Sequence, residues 1–273
     1  MRASDLQDEK QQADGTTAQA GLADRPVFSR VRVFLAWCVH LYTALGLVAA
    51  AGMGVLIFRG DPESFRGAFL LMLLATAIDA TDGLLARAVR VKEVLPQFDG
   101  RKLDDLVDFL TFVVMPLFLI GRAELLPAGM EPVLLLPLLA SAYGFCQVSA
   151  KTDDGFFIGF PSYWNLVAFY LYILHAQFGP LPGWFSVGLI VGLALLTFVP
   201  IRYLYPSQRG RLNVVTSALA VPWSVAAVTV LVQLHSPSAA ETNRWLTLFS
   251  LLFPAYYLIA SWALSWRIWR RSR

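Results

Sequence analysis

The sequence predicts an all-α fold, a polytopic transmembrane helical bundle of about eight spans with both termini cytoplasmic. Three observations predict it. Of 273 residues, 57% are hydrophobic and only 15% charged, which is too apolar for an ordinary soluble domain. Several apolar runs approach or exceed the roughly 20 residues that cross a hydrocarbon core, and they are continuous rather than alternating, which argues against a barrel. Lys and Arg also fall unevenly on alternate connections.

Taken in order, residues 1–25 are polar, rich in Ala, Gln, Asp and Gly, and are expected to be a disordered tail. No apolar core follows the first charges, so a secretory signal is not expected here. Residues 26–33 form a basic juxtamembrane segment, read either as a surface helix or as a flank to the first span. A single integral membrane domain over 34–273 follows. Its spans are expected at roughly 34–58, 67–89, 103–121, 131–150, 157–176, 183–201, 213–234 and 245–266. Asp61, Pro62 and Glu63 mark a turn, Pro180 and Pro182 a second break, and Ser236 to Thr242 a third.

With this arrangement, 18 of the 22 Lys and Arg residues lie inside; only Arg59, Arg66, Arg122 and Arg244 lie outside. The connection from Arg87 to Lys102 is then cytoplasmic. Cys38 and Cys146 both lie in apolar runs and are read as packing residues, without metal-ligand spacing. His175 and His235 fall at outer span ends, in solvated loop positions.

One stretch carries the chemistry. It reads Asp79-Ala-Thr-Asp82-Gly83-Leu-Leu-Ala86-Arg87, then twelve residues, then Gly100-Arg-Lys-Leu-Asp104-Asp105-Leu-Val-Asp108. Asp79 and Asp82 are three apart and Asp104 and Asp108 four apart, so each pair shares a helix face. Carboxylates in so apolar a setting are costly unless compensated. Oxygen-only ligands suit hard cations such as Mg2+ or Mn2+, and two such ions form a clamp for phosphoryl chemistry. Gly83 and Ala86 leave room for a bulky ligand, Arg87 is placed to pair with a phosphate, and Gly100 allows close backbone approach. Asp105 points off the Asp104/Asp108 face and is expected to pair with a base in the loop.

This pattern resembles the signature of the CDP-alcohol phosphotransferases, integral membrane enzymes of phospholipid synthesis. The resemblance implies that Asp79, Asp82, Asp104 and Asp108 hold divalent metal, two Mn2+ or Mg2+ ions. It implies further that Gly83, Ala86, Arg87 and Gly100 accommodate CDP, that Asp108 is the catalytic base, and that the protein forms a homodimer. The gap after Arg87 is twelve residues, where the common form has eight. The longer gap is similar to the bacterial phosphatidylcholine synthase branch of the family. So are Val39-His40 with Thr43, Phe160-Pro161-Ser162-Tyr163-Trp164-Asn165, and Phe198-Val-Pro-Ile-Arg202-Tyr203-Leu-Tyr205-Pro206.

The implied reaction joins CDP-diacylglycerol to choline with release of CMP, in the inner membrane, with the site facing the cytoplasm. Its partners are these substrates and membrane lipids; no nucleic acid is expected. A quaternary ammonium is held best by aromatic faces. Tyr163, Trp164, Tyr203 and Tyr205 are candidates, with Asn165 and Arg202 as further choline or lipid contacts; an interfacial aromatic belt is the competing reading. His40, Thr43 and Asn165 are polar groups in apolar runs, suited to cytidine, to choline or to a neighbouring helix. Arg202, Arg209 and Arg211 form a basic group for lipid phosphates or a plain positive flank. Two alternatives remain at this level: the same transfer to serine or glycerol phosphate, and a cation transporter with the aspartates as its ion path.

Overall fold

The computed structural model describes residues 28–147, 156–204 and 211–271. Nearly all of them are helical. Four helical stretches are long and apolar enough to cross a membrane: Arg30–Arg59, Pro62–Val89, Leu212–Gln233 and Pro237–Arg270. Their outward faces carry large apolar side chains, among them Phe34, Leu41, Val48, Phe58, Leu74 and Val225. Such surfaces belong in lipid, and the protein is an all-α membrane protein.

Helix α1 (Arg30–Arg59) starts at Ser29, whose Oγ accepts the Arg32 N–H at 3.4 Å, and ends on Gly60 at φ +75°. Two residues on, α2 (Pro62–Val89) begins. The expected turn at Asp61–Glu63 is in fact its start: Asp61 caps Ser64 N–H at 2.9 Å and Pro62 sits where a missing N–H costs nothing. So short a connection makes α1 and α2 an antiparallel pair. Glycines set their approach, with Gly52 against Leu71 and Gly67 against Leu56.

The third helical rod differs from the expected 103–121. It begins at Gly100 as α3 (Gly100–Asp108), capped by Asp99, widens into a π-helical turn over Phe109–Val114, and continues as α4 (Met115–Arg122). Pro116 follows the wide turn, and its absent N–H is one reason regular α bonding is interrupted there. Helix α5 (Leu135–Cys146) follows a 3-10 turn over Glu131–Leu134.

The largest departure is at 157–163, where a helix is expected. The chain forms strand β1 (Phe156–Ile158), and helix α6 (Trp164–Phe178) starts seven residues late. Gly159 at φ +86°, Pro161, and Ser162 at φ +56° preclude a helix there. Helix α7 (Gly183–Leu196) also stops short of 201, and β2 (Arg202–Leu204) pairs antiparallel with β1 in the register Phe157 to Tyr203.

Helix α8 (Arg211–Gln233) matches its expected span. The last span divides into α9 (Ala240–Ser250) and α10 (Leu252–Arg271), and it starts inside the break expected at Ser236–Thr242. Pro254 has no N–H for the Ser250 carbonyl. Tyr170 supplies the replacement, its Oη lying 3.0 Å from that carbonyl oxygen, while Trp223 Nε1 donates to the same Oη at 2.8 Å.

The main core fills one end of the bundle. Phe65, Phe69, Met72 and Ala75 of α2 meet Phe169, Leu171, Tyr172 and Ile173 of α6, with Val113, Leu119 and Ile120 beside them. At that end Arg122 reaches the Arg59 carbonyl, Glu63 lies 3.3 Å from His235, and Asn243 donates to Gln233. His235 stands exposed in the turn after α8, as expected of a solvated loop position, with Glu63 beside it. Asp79 stands seventeen residues along α2 from Pro62, about 25 Å away at 1.5 Å per residue. The aspartates therefore occupy the opposite end.

The cysteines do not pack the core as expected. Cys38 and Cys146 are both free and exposed on the outer faces of their helices, so neither packs the interior.

Candidate metal and nucleotide site

Helices α2 and α3 supply the carboxylates, and α1 fixes how closely they approach. Gly46 of α1 faces Val107 of α3 so closely that a Cβ would collide with Cγ1, and Gly100 lies under the His40 ring, where a Cβ would stand 2.6 Å from Cε1. Two positions without side chains thus let α3 lie against α1. The hairpin-like turn before α3 is capped by an aromatic group, with Phe98 4.3 Å from His40 and 5.3 Å from Trp37, centroid to centroid.

Asp79, Asp104 and Asp108 converge. One carboxylate oxygen from each lies within 4.8 Å of the others, and none of the three residues is buried. Three like charges at that range repel strongly unless a cation lies among them. Opposite ligand oxygens on a Mg2+ ion stand about 4.2 Å apart, from bonds of roughly 2.0–2.1 Å, so this donor set fits a hard divalent ion.

Asp82 is placed differently from the other three. Its carboxylate is buried, and its Oδ2 accepts the Thr43 hydroxyl at 2.8 Å. The neighbouring Thr81 makes a second tie to α1, 2.8 Å from the Tyr42 hydroxyl. Thr43 is therefore the residue for which the neighbouring-helix reading holds. No motif singles out its partner, but its spacing from His40 and Gly46 along one α1 face is a usable signal.

Gly83 lies one turn below Arg87, and a Cβ there would stand 3.4 Å from Arg87 Nη1. The guanidinium thus folds back over the glycine that follows Asp82 in the chain. Ala86 is part-buried and packs on the small cluster of Ala36, Val39, Val91, Val94 and Leu95, which closes the far side of α2. His40 is buried, and its Nε2 has no hydrogen-bond partner among the described residues. Through that nitrogen it makes no hydrogen bond to a neighbouring helix among the described residues.

The aromatic candidates separate by burial. Trp164 is wholly enclosed and donates from Nε1 to Ser141 Oγ at 2.8 Å, which makes it a core anchor. Tyr203 is also enclosed, stacked on Tyr257, with its Oη accepting Trp262 Nε1 at 3.2 Å; burial pushes its hydroxyl pKa above the ordinary value. Tyr163 is part-buried, edge-on to Tyr257. Asn165 turns its Oδ1 to the Leu166 N–H at 2.9 Å. Arg202 is part-buried on β2, its Cζ 5.9 Å from the Phe156 ring centre. Tyr205 and Arg209 lie outside the described residues, as does the side chain of Arg211.

No protein-family model matches the chain. Curated relatives do. It is 36% identical over 250 residues to the phosphatidylcholine synthase of Legionella pneumophila, covering 87% of this chain and 91% of that protein. It is 34% identical over 199 residues to the phosphatidylcholine synthase of Pseudomonas aeruginosa, covering 72% and 80%. The phosphatidylcholine synthase of Borreliella burgdorferi is 27% identical over 238 residues, covering 87% and 97%. These alignments take in most of both partners, and the chain belongs to the phosphatidylcholine synthase family.

Proposed function

We propose that the protein transfers the phosphatidyl group of CDP-diacylglycerol to choline, releasing CMP, at the end of the bundle where α2 and α3 meet. The observation that carries this reading is the convergence of Asp79, Asp104 and Asp108 beside Gly83 and Arg87 in a member of this family. A transporter reading explains the acids but not the glycine and arginine set among them. The curated relatives favour choline over serine or glycerol phosphate as acceptor.

In this scheme Asp79, Asp82, Asp104 and Asp108 hold two divalent ions, Mn2+ or Mg2+. When bound, such a pair neutralises charge on the diphosphate and on the attacking and leaving oxygens. Thr43 holds the Asp82 carboxylate in place. Arg87 pairs with a phosphate of CDP-diacylglycerol, and Gly83, Ala86 and Gly100 keep the approach to the backbone open. Asp108 accepts the choline hydroxyl proton as that oxygen attacks the phosphorus bearing the lipid, and CMP departs. Tyr163, Asn165 and Arg202, with Tyr205, remain the choline or lipid contacts of this proposal; Trp164 and Tyr203 act behind them as enclosed supports.

The same scheme has eight crossings, both termini in the cytoplasm, the site on the cytoplasmic side of the inner membrane, and a homodimer. The distribution of Lys and Arg supports the orientation. The test is a parallel assay of purified protein with CDP-diacylglycerol, Mn2+ and either labelled choline or labelled serine. Label is expected in lipid from choline alone. Transfer to serine and none to choline would overturn the acceptor and leave the site assignment standing.

A further inference from the structure

We propose, resting on the reading of Asp104 and Asp108 as metal ligands, that the π-helical turn over Phe109–Val114 aims their carboxylates and that Thr111 is the positioning residue that holds the turn. Single π-helical turns inside α-helices are rare and frequently stand at functional sites. This one begins at the residue after Asp108.

The exposure pattern along this rod does not fit one regular helix. Leu106 and Phe118 are both exposed, at 64% and 62%, whereas Val107 and Leu119, the next residue in each case, are both buried. The members of each pair are twelve residues apart. At about 100° per residue, a regular helix would set such residues about 120° apart, and one of each pair would face the wrong way. A π-helical turn closes on bonds five residues apart and takes up one residue more than an α turn. The Met115 N–H reaches the Leu110 carbonyl in that way. With one residue absorbed, the offset falls to about 20°, and both pairs line up.

The two ends of the rod are fixed separately. Val107 of α3 packs on Gly46 of α1, while Leu119 and Ile120 of α4 are wholly enclosed in the main core. Asp108 follows Val107, and Asp104 lies one turn before it. Closing the turn to regular α bonding, with α4 held by the core, would rotate α3 by about 100° and swing both carboxylates away from Asp79. Thr111 sits inside the turn, wholly buried, and its Oγ1 donates to the Val107 carbonyl at 3.0 Å. Threonine bonds to the carbonyl four residues back distort helices, and here the acceptor is the residue before Asp108. Pro116 acts from the other side, since it has no N–H with which to restore α bonding. Phe109 is braced on Phe145 of α5, with ring centres 5.6 Å apart.

The test is Mn2+ binding to the purified full-length protein, followed by electron paramagnetic resonance, in wild type, Thr111→Val, Thr111→Ser and Pro116→Ala. Thermal unfolding checks that each variant is folded. Thr111→Val keeps the shape and removes the donor, and it is expected to weaken Mn2+ binding about tenfold. Thr111→Ser keeps the hydroxyl and is expected to stay within about twofold of wild type. Pro116→Ala returns an N–H to the helix; it is expected to weaken binding too, and it keeps the test open if Thr111→Val does not fold. A purely structural role would lower the unfolding temperature and leave the Mn2+ affinity of the folded protein unchanged. Wild-type affinity in folded Thr111→Val, or in Pro116→Ala where Thr111→Val does not fold, would overturn the proposal and leave the metal reading standing. Equal losses in Thr111→Val and Thr111→Ser would also overturn it, because the hydroxyl would not be the cause. Wild-type protein that binds no Mn2+ would overturn the metal reading and this inference with it.

Discussion

The Thr43 hydroxyl donates a 2.8 Å hydrogen bond to Asp82 Oδ2, and both groups are buried. This bond ties α1 to the aspartate helix and fixes the orientation of a carboxylate one turn from Asp79. Groups that orient metal ligands typically contribute about 10–100-fold in affinity or activity. Thr43→Val, which keeps the shape and removes the donor, is expected to lower kcat/KM by about that factor, and Thr43→Ser to recover most of it. Steady-state assays at fixed Mn2+ check this; full activity in Thr43→Val would remove Thr43 from the site.

Much of that site was legible in the sequence. Asp79, Asp82, Asp104 and Asp108 sit at helical spacings in an apolar setting, and local spacing alone places each pair on one face. What spacing could not reveal is that Asp82 turns to α1 while the other three converge, because that depends on a partner 39 residues away. The pairing of 156–158 with 202–204 was hidden for the same reason, although Gly159 and Pro161 signalled that no helix could run there. Trp164 and Tyr203 read as choline contacts or belt aromatics because composition cannot tell an enclosed ring from an exposed one. The π-helical turn after Asp108 has no local signature beyond Pro116.

Gly100 and His40 form a steric lock. Gly100→Ala would put a Cβ 2.6 Å from His40 Cε1, and overpacking of this kind costs about 1–3 kcal/mol. The single variant is expected to unfold at lower temperature and lose activity. Adding His40→Ala should restore the unfolding temperature. If it does not, the lock is not the cause.

Tyr170 and Pro254 are coupled through the Ser250 carbonyl. Tyr170→Phe leaves that carbonyl without its hydroxyl donor at a cost of about 1–3 kcal/mol. Pro254→Ala supplies a helical N–H instead, so the double variant should be more stable than Tyr170→Phe alone. Thermal unfolding in detergent is the measurement, and simple additivity would contradict the coupling.

Asp61 caps α2 through Ser64 N–H and Oγ, and these bonds hold its carboxyl below the ordinary carboxylate pKa. A depressed folded pKa contributes stability above the unfolded value and loses it as pH falls through the folded one. Asp61→Asn should therefore flatten the acid limb of the unfolding curve, with its largest difference from wild type at neutral pH. An identical acid limb in both proteins would count against the cap.

The central claim is that the aspartates hold divalent cations, and Mn2+ binding followed by electron paramagnetic resonance tests it most directly. Purified wild-type protein is expected to bind two ions per chain in the presence of CDP-diacylglycerol. Asp104→Asn should weaken that binding at least about tenfold and abolish CMP release. Unchanged Mn2+ binding in a folded Asp104→Asn protein would contradict the account.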